Sequence, residues 1–167
     1  MKILIFTEGT IIMHKNAAGH SREEIVKQVK DNEKSVHNYA SYIPIGDAVK
    51  KLTMWKNQGA KILYLTSRRK QNEIEDIKNV LKRYDFPDSQ FLFRQENEKY
   101  KDVVEKTIPD ILIEDDCESI GGINEMTITY VKPEIKDKIK LIPIKEFKGI
   151  DHLPEKITNL NQINNSP

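Results

Sequence analysis

The apolar residues of this chain fall into short continuous runs, separated by longer segments in which they recur every three or four positions. Residues 1–5, 61–65 and 110–113 are mainly apolar runs, which are typical of strands buried on both faces of a sheet. The longer segments predict amphipathic helices, as around Ile74, Ile77 and Leu81. Further helices are expected after the capping-box pattern of Ser21 and Glu24, over 44–57 and over 100–106, and further strands over 91–93, 127–131 and 140–144.

Strands that alternate with helices in this way predict right-handed βαβ crossovers and a parallel sheet. We therefore expect an α/β fold, a three-layer α/β/α sandwich whose mainly parallel, Rossmann-like sheet carries helices on both faces. The length is usual for one domain, which we place at 1–158. Residues 13–43 form a small cap or flap insertion after the first strand, and the Asn-rich tail at 159–167 is expected to fray.

The charge balance limits the kinds of partner we expect, and the cysteine content indicates the compartment. The 27 Lys and Arg residues nearly balance the 26 Asp and Glu residues, so no overall basic field favours nucleic acid or a membrane surface as a partner. The apolar start is too short for a secretory signal peptide, and no run approaches the length of a membrane span. The single cysteine, Cys117, excludes an internal disulfide and fits a reducing compartment. We expect a soluble, cytoplasmic protein.

Hydroxyl and acidic residues follow three of the predicted strands, at 8–10, at 66–67 and at 114–116. Because parallel strands end at the same edge of a sheet, we expect these groups to meet where open α/β folds bind ligands. The hydroxyls at 66–67 either bind an anion or cap the turn before the next helix. The carboxylates at 114–116 repel one another unless they are neutralised by a metal ion or by an arginine such as Arg68 or Arg69.

The segment Phe6-Thr7-Glu8-Gly9-Thr10 resembles the Asp-x-Asp-Gly-Thr motif of the haloacid dehalogenase (HAD) superfamily. The later polar segments follow in the order of that family's other motifs, and the chain resembles a minimal-cap member of it. The resemblance implies a HAD-like fold and a phosphoryl-transfer site. By this resemblance the catalytic candidates are Glu8 and Lys101, the phosphate-binding candidates are Gly9, Thr10, Thr66 and Ser67, and the ligands of a Mg²⁺ cofactor are Asp115 and Asp116.

The first motif departs from the family at Phe6, which stands where the family has its nucleophilic aspartate. A phenyl ring cannot attack phosphorus, whereas Glu8 keeps a carboxyl group at the acid/base position, one methylene longer. The sequence therefore favours a binding module without aspartyl-phosphate chemistry, which holds a small phosphorylated ligand or a protein partner. Two alternatives stay open: a Mg²⁺-dependent phosphohydrolase in which Glu8 acts on a metal-activated water, and a structural domain with a solvated acidic cluster.

The insertion is too short for a large helical cap. In the family such an arrangement leaves the site open to large substrates or to a partner that completes the lid. His14, His20 and Arg22 lie in the insertion, and each of them either overhangs the site or decorates the surface of the flap.

Overall fold

The computed structural model describes residues 1–163, which contain seven strands. In chain order these are β1 (Lys2–Phe6), β2 (Ile12–Met13), β3 (Ile43–Pro44), β4 (Lys61–Leu65), β5 (Gln90–Leu92), β6 (Ile111–Asp115) and β7 (Lys140–Ile144). Five of them form one sheet in the order β5-β4-β1-β6-β7, in which every neighbouring pair is parallel. The two short strands β2 and β3 form a separate antiparallel pair.

Five α-helices connect or flank these strands: α1 (Arg22–Lys30), α2 (Ala48–Asn57), α3 (Gln71–Arg83), α4 (Tyr100–Thr107) and α5 (Pro133–Lys136). Six short 3-10 helices occupy Lys15–Ala17, Lys34–His37, Tyr39–Ser41, Gly122–Glu125, Thr127–Tyr130 and Ile157–Gln162. Over residues 1–163, none of the helices has the length and apolar character that crossing a membrane requires.

The central sheet is buried on both faces. Because successive side chains of a strand point to opposite faces, Ile3 and Ile5 of β1 enter one core while Leu4 and Phe6 enter the other. The first core is completed by α2 and α3, including the fully buried Trp55. The second is completed by α4 and by the connection between β6 and β7. These two cores confirm the predicted three-layer α/β/α sandwich.

Local signals in the sequence account for several element boundaries. The capping box before α1 is formed: the hydroxyl of Ser21 accepts from the backbone N–H of Glu24, and the carboxylate of Glu24 accepts from the N–H of Ser21 at 2.7 Å. The helix predicted over 44–57 begins only at Ala48. Pro44, the first residue of the predicted helix, instead belongs to β3 and lies opposite Ile12 in the antiparallel pair with β2.

Two predictions from the sequence are wrong. The strand expected over 127–131 is instead the 3-10 helix Thr127–Tyr130, because the backbone N–H groups of Thr127 and Ile128 donate to the carboxylate of Glu114 rather than to a neighbouring strand. The tail does not fray over 159–163, because Leu160 is fully buried in the first core and holds the helix Ile157–Gln162 in place. The remaining tail residues, 164–167, lie outside the described part of the chain.

The insertion that follows β1 occupies 14–42, between β2 and β3, and consists of α1 and short 3-10 turns. Arginine side chains tie it to the rest of the domain. Arg83 at the end of α3 donates to the carbonyl of Ala40 at 2.7 Å, and Arg22 in α1 donates through Nε to the carbonyl of Glu146 at 2.8 Å. The flap is thereby held over the edge of the sheet at which β1, β4, β6 and β7 end.

Candidate functional site

A cleft of about 420 Å³ lies between the insertion and the carboxyl ends of the parallel strands. This is the edge at which the polar segments after β1, β4 and β6 were expected to meet. Side chains from the sheet edge and from the flap both line it. Among the residues that line it are Phe6, Glu8, Tyr39, Ser67, Arg68, Tyr100, Asp115 and Glu146.

Glu8 lies at the centre of the hydrogen bonds in this cleft. Its Oε1 accepts from Thr66 Oγ1 at 2.7 Å and lies 3.2 Å from Arg68 Nε. Its Oε2 accepts from the hydroxyl of Thr7 and from the backbone N–H of Ser67, the latter at 3.3 Å. The carboxylate therefore joins the loop after β1 to the loop after β4: it accepts three hydrogen bonds and forms an ion pair with Arg68.

Phe6 forms part of the cleft floor at the end of β1. Its side chain packs edge-on against Tyr100 of α4, with ring centroids 5.3 Å apart. The guanidinium of Arg94 lies over the Tyr100 ring, 3.7 Å from its centroid, and donates to the carbonyl of Ser67 at 3.0 Å. The position of the expected nucleophile is thus occupied by a packed aromatic residue.

Arg68 connects Glu8 to the flap. Its guanidinium donates to the hydroxyl of Tyr39, lies 4.6 Å from the centroid of that ring, and donates through Nη2 to Ser67 Oγ at 2.6 Å. Burial by itself lowers the pKa of Arg68, but the charge of Glu8 and the nearby tyrosines more than offset it, so the pKa lies above its ordinary value. The positive charge of Arg68 is therefore kept inside the cleft.

Asp115, at the end of β6, is held by the turn after β1. Thr10 Oγ1 donates to its Oδ2 at 3.0 Å, and the backbone N–H of Cys117 donates to its Oδ1 at 3.0 Å. Burial raises the pKa of Asp115, against the opposing effect of these two donors. Gly9 has φ +80°, and a Cβ atom at this position would lie 3.0 Å from Asp115 Oδ2, so the turn requires glycine for both conformation and space.

Asp116 faces the insertion rather than the cleft floor. Its Oδ1 accepts from the backbone N–H of Glu146 at 3.0 Å, and Arg22 Nη2 approaches the same carboxylate at 3.4 and 3.5 Å. Arg22 also pairs with Glu118. Arg22, from the flap, thus supplies a positive charge to the carboxylates at 114–116. Arg68 instead pairs with Glu8, and Arg69 donates to a backbone carbonyl.

Two further carboxyl groups at this edge have raised pKa values. Burial raises the pKa of Glu114 to about 7, although the backbone N–H groups of Thr127 and Ile128 lower it in part. Burial likewise raises the pKa of Glu146 to about 7; the nearby charge of Asp115 adds to this, and hydrogen bonds from Ser119 oppose it. At neutral pH both groups therefore keep a proton more readily than an ordinary glutamate does.

Of the remaining candidates, Lys101 and His20 lie apart from the cleft, whereas His14 lines it. Lys101 pairs with Asp102 at 3.4 Å and with Glu105 at 3.8 Å, both on its own helix, and it is not among the described residues that line the cleft. In the insertion, His14 is buried and hydrogen-bonds Gln28 at 2.9 Å, while His20 pairs with Glu24 at 3.5 Å. The structure thus brings together Glu8, Gly9, Thr10, Thr66, Ser67 and Asp115, but not Lys101.

Mg²⁺ prefers several oxygen ligands in an octahedron, and Asp115 and Asp116 are the carboxylates expected to hold it. Both oxygens of Asp115 already accept hydrogen bonds, and Asp116 faces Arg22. Within residues 1–163, no three His, Cys, Asp or Glu side chains come together in an arrangement suited to a metal ion. The magnesium site at Asp115 and Asp116 therefore stays a prediction.

Glu146, Tyr39 and Tyr100 are site residues that the sequence did not single out. Glu146 follows β7, the last strand of the sheet. The expectation that polar residues after parallel strands meet at one edge therefore also applied to it. Tyr39 comes from the insertion and Tyr100 from the start of α4, and neither stands in a pattern that indicates a ligand site. Their position in the cleft depends on how the flap and α4 pack on the sheet.

Comparison with known proteins gives a likeness of fold alone. No family model and no curated protein matches the sequence. Among solved structures, the chain is similar to a chain in the structure of the Pnkp1/Rnl/Hen1 RNA repair complex, with a TM-score of 0.54 and 16% sequence identity. The match covers 87% of this chain and 42% of that chain, so this domain spans less than half the length of the chain it resembles.

Proposed function

We propose that this chain is a HAD-like binding module that has lost aspartyl-phosphate chemistry and holds a ligand carrying a phosphate or a similar oxyanion. The loss of chemistry is supported by Phe6, which brings only a phenyl ring to the cleft and packs it against Tyr100. A side chain without a nucleophilic atom cannot form a covalent phosphoenzyme.

The convergence of three donors on one carboxylate is the observation that carries the binding proposal. Thr66 Oγ1, Ser67 N and Arg68 Nε lie 2.7, 3.3 and 3.2 Å from the oxygens of Glu8. Hydroxyl, backbone amide and guanidinium groups are the donors that hold phosphate oxygens in proteins. Because they come from three consecutive residues after β4, they form one preformed set of donors for an oxyanion.

The rest of the cleft suits the organic part of such a ligand. Much of its wall is aromatic, chiefly Tyr39, Tyr42, Tyr100 and Phe147. Aromatic rings bury apolar or planar groups at little conformational cost. We therefore propose a phosphomonoester of a planar or partly apolar alcohol as the ligand class. A protein partner, the other ligand class that the sequence predicts, stays a prediction.

The alternative of a phosphohydrolase with Glu8 as acid/base has less support. Glu8 already accepts three hydrogen bonds and pairs with Arg68, so its carboxylate is held by groups of the chain itself. Lys101, which would neutralise charge at the phosphoryl group, is paired with Asp102 and Glu105 instead. We expect no more than trace turnover of phosphate esters.

Isothermal titration of phenyl phosphate into the wild type and Thr66→Val tests this proposal. Valine keeps the shape of threonine but removes the donor, so we expect saturable binding by the wild type and about tenfold weaker binding by the variant. Thr107→Val is the matched control, because Thr107 ends α4 and bonds within its own helix. The proposal is contradicted if the wild type does not bind, or if Thr66→Val binds as well as Thr107→Val.

A further inference from the structure

The anion that accepts hydrogen bonds from the proposed oxyanion donors is Glu8, a residue of the chain itself. Glu8 follows β1, and the donors at Thr66, Ser67 and Arg68 follow β4, the neighbouring strand of the sheet. The side chain of Glu8 crosses from one strand end to the other and brings Oε1 to 2.7 Å from Thr66 Oγ1. An aspartate at this position, as in the motif that the segment resembles, would be one methylene shorter.

We propose that Glu8 is a built-in anionic ligand, which occupies the oxyanion site and which an incoming oxyanion must displace. This inference rests on the proposed binding function and adds that the same site is controlled from within the chain. The side chain of Glu8 is 11% exposed, and Thr66 is fully buried. Buried donors need an acceptor, and Glu8 supplies one.

Competition between the two anions follows from their shared donors. An oxyanion bound to Thr66 and Ser67 would place its oxygens where those of Glu8 now lie, and two like charges cannot occupy one set of donors. Binding therefore requires Glu8 to leave Thr66 and Ser67. The apparent affinity is reduced by the fraction of molecules in which Glu8 stays in place.

Truncation of Glu8 tests this inference directly, with inorganic sulfate as the probe because sulfate does not titrate near neutral pH. Glu8→Ala leaves the donors free, so isothermal titration should show sulfate binding about tenfold tighter than in the wild type, or tighter still. Acetate, which can replace the missing carboxylate, should raise the Tm of Glu8→Ala in a saturable way and leave that of the wild type unchanged.

Glu118→Ala is the matched control. It also removes a carboxylate from an arginine, in this case Arg22, but Glu118 is 45% exposed and its described side-chain hydrogen bond is to Arg22. We expect no gain in sulfate binding from it. Should Glu8→Ala fail to fold, Glu8→Gln keeps the shape of glutamate and turns an NH₂ group toward the same donors, so it too should bind sulfate more tightly than the wild type.

The outcomes separate this inference from the proposed function. Tight sulfate binding by the Glu8 variants beside a wild type that binds neither sulfate nor phenyl phosphate supports the built-in ligand and overturns the proposed function. Equal sulfate affinity in the wild type and the Glu8 variants overturns the built-in ligand and leaves the proposed function standing. A gain of the same size in Glu118→Ala, or no binding by any Glu8 variant, also overturns the built-in ligand.

Discussion

The ring of Phe6 packs edge-on against the ring of Tyr100, with centroids 5.3 Å apart, and so joins the end of β1 to the start of α4. Phe6 belongs to the second hydrophobic core and is 7% exposed. Phe6, which stands where the motif it resembles has a nucleophilic aspartate, is therefore a core residue of this domain. Its replacement affects stability as well as chemistry.

Phe6→Asp should destabilise the domain without installing phosphoenzyme chemistry. Loss of the buried ring, together with burial of a carboxyl group, should lower the free energy of unfolding by about 3 kcal/mol or more. The variant should not form an aspartyl-phosphate with acetyl phosphate and Mg²⁺, because Glu8 holds the oxyanion donors and Lys101 pairs within α4. Urea unfolding and intact-protein mass measure the two effects.

Phe6→Leu is the control for Phe6→Asp, because it shortens the apolar side chain without adding a charge. It should cost about 1 kcal/mol. A covalent phosphoenzyme in Phe6→Asp would show that the donors of this site already support phosphoryl transfer, and it would contradict the account of Glu8.

Arg22→Met should loosen the insertion. Arg22 is 19% exposed, and it ties α1 to Asp116, to Glu118 and to the carbonyl of Glu146. Loss of these charged hydrogen bonds should cost about 2 kcal/mol and speed hydrogen exchange of the amides of α1. Lys27→Met, on the same helix, is the control: its pair with Asp31 is exposed, so exchange should stay as in the wild type.

Glu146→Gln should flatten part of the dependence of stability on pH. Its folded-state pKa of about 7 lies above the ordinary value of 4.5, so the folded state binds the proton more tightly than the unfolded state. This contribution to stability is full below about pH 4.5 and is lost as the pH rises through about 7. Urea unfolding at pH 5 and pH 8 should show a smaller loss of stability in the variant, by about 2 kcal/mol. An equal loss in both proteins would show that Glu146 ionises normally.

Gly9→Ala should strain the turn that supports Asp115. The residue has φ +80°, and the added Cβ would lie 3.0 Å from Asp115 Oδ2. We expect a loss of about 2 kcal/mol in the free energy of unfolding. Gly19→Ala is the matched control, because Gly19 has φ +79° with nothing within 4 Å of the added Cβ atom. The difference between the two variants measures the contact with Asp115, and equal losses would contradict it.

The fold could be predicted because its signals are local. Short apolar runs marked β1, β4 and β6, and the capping box of Ser21 and Glu24 marked the start of α1. Once the strands are parallel, the residues that follow them meet at one edge, where Glu8 accepts from Thr66 and Asp115 accepts from Thr10. This convergence required no knowledge of individual side-chain contacts.

The rest of the site depends on choices between partners that are distant in the sequence. Arg22 reaches Asp116, 94 positions away, although Arg68 and Arg69 are nearer along the chain. Lys101 has carboxylates one and four positions ahead of it on α4, and it pairs with them instead of turning to the cleft. Only the packed positions of the flap and of α4 decide between such alternatives.

The ³¹P NMR spectrum of phenyl phosphate, recorded with an equimolar amount of the wild-type protein in Mg²⁺, tests binding without chemistry most directly. The shift and line width of the ester signal report binding, and the signal of inorganic phosphate reports hydrolysis. We predict a saturable change of the ester signal that persists for hours without growth of the phosphate signal. Steady growth of inorganic phosphate that Glu8→Gln abolishes, or an ester signal that the protein leaves unchanged, would contradict the account.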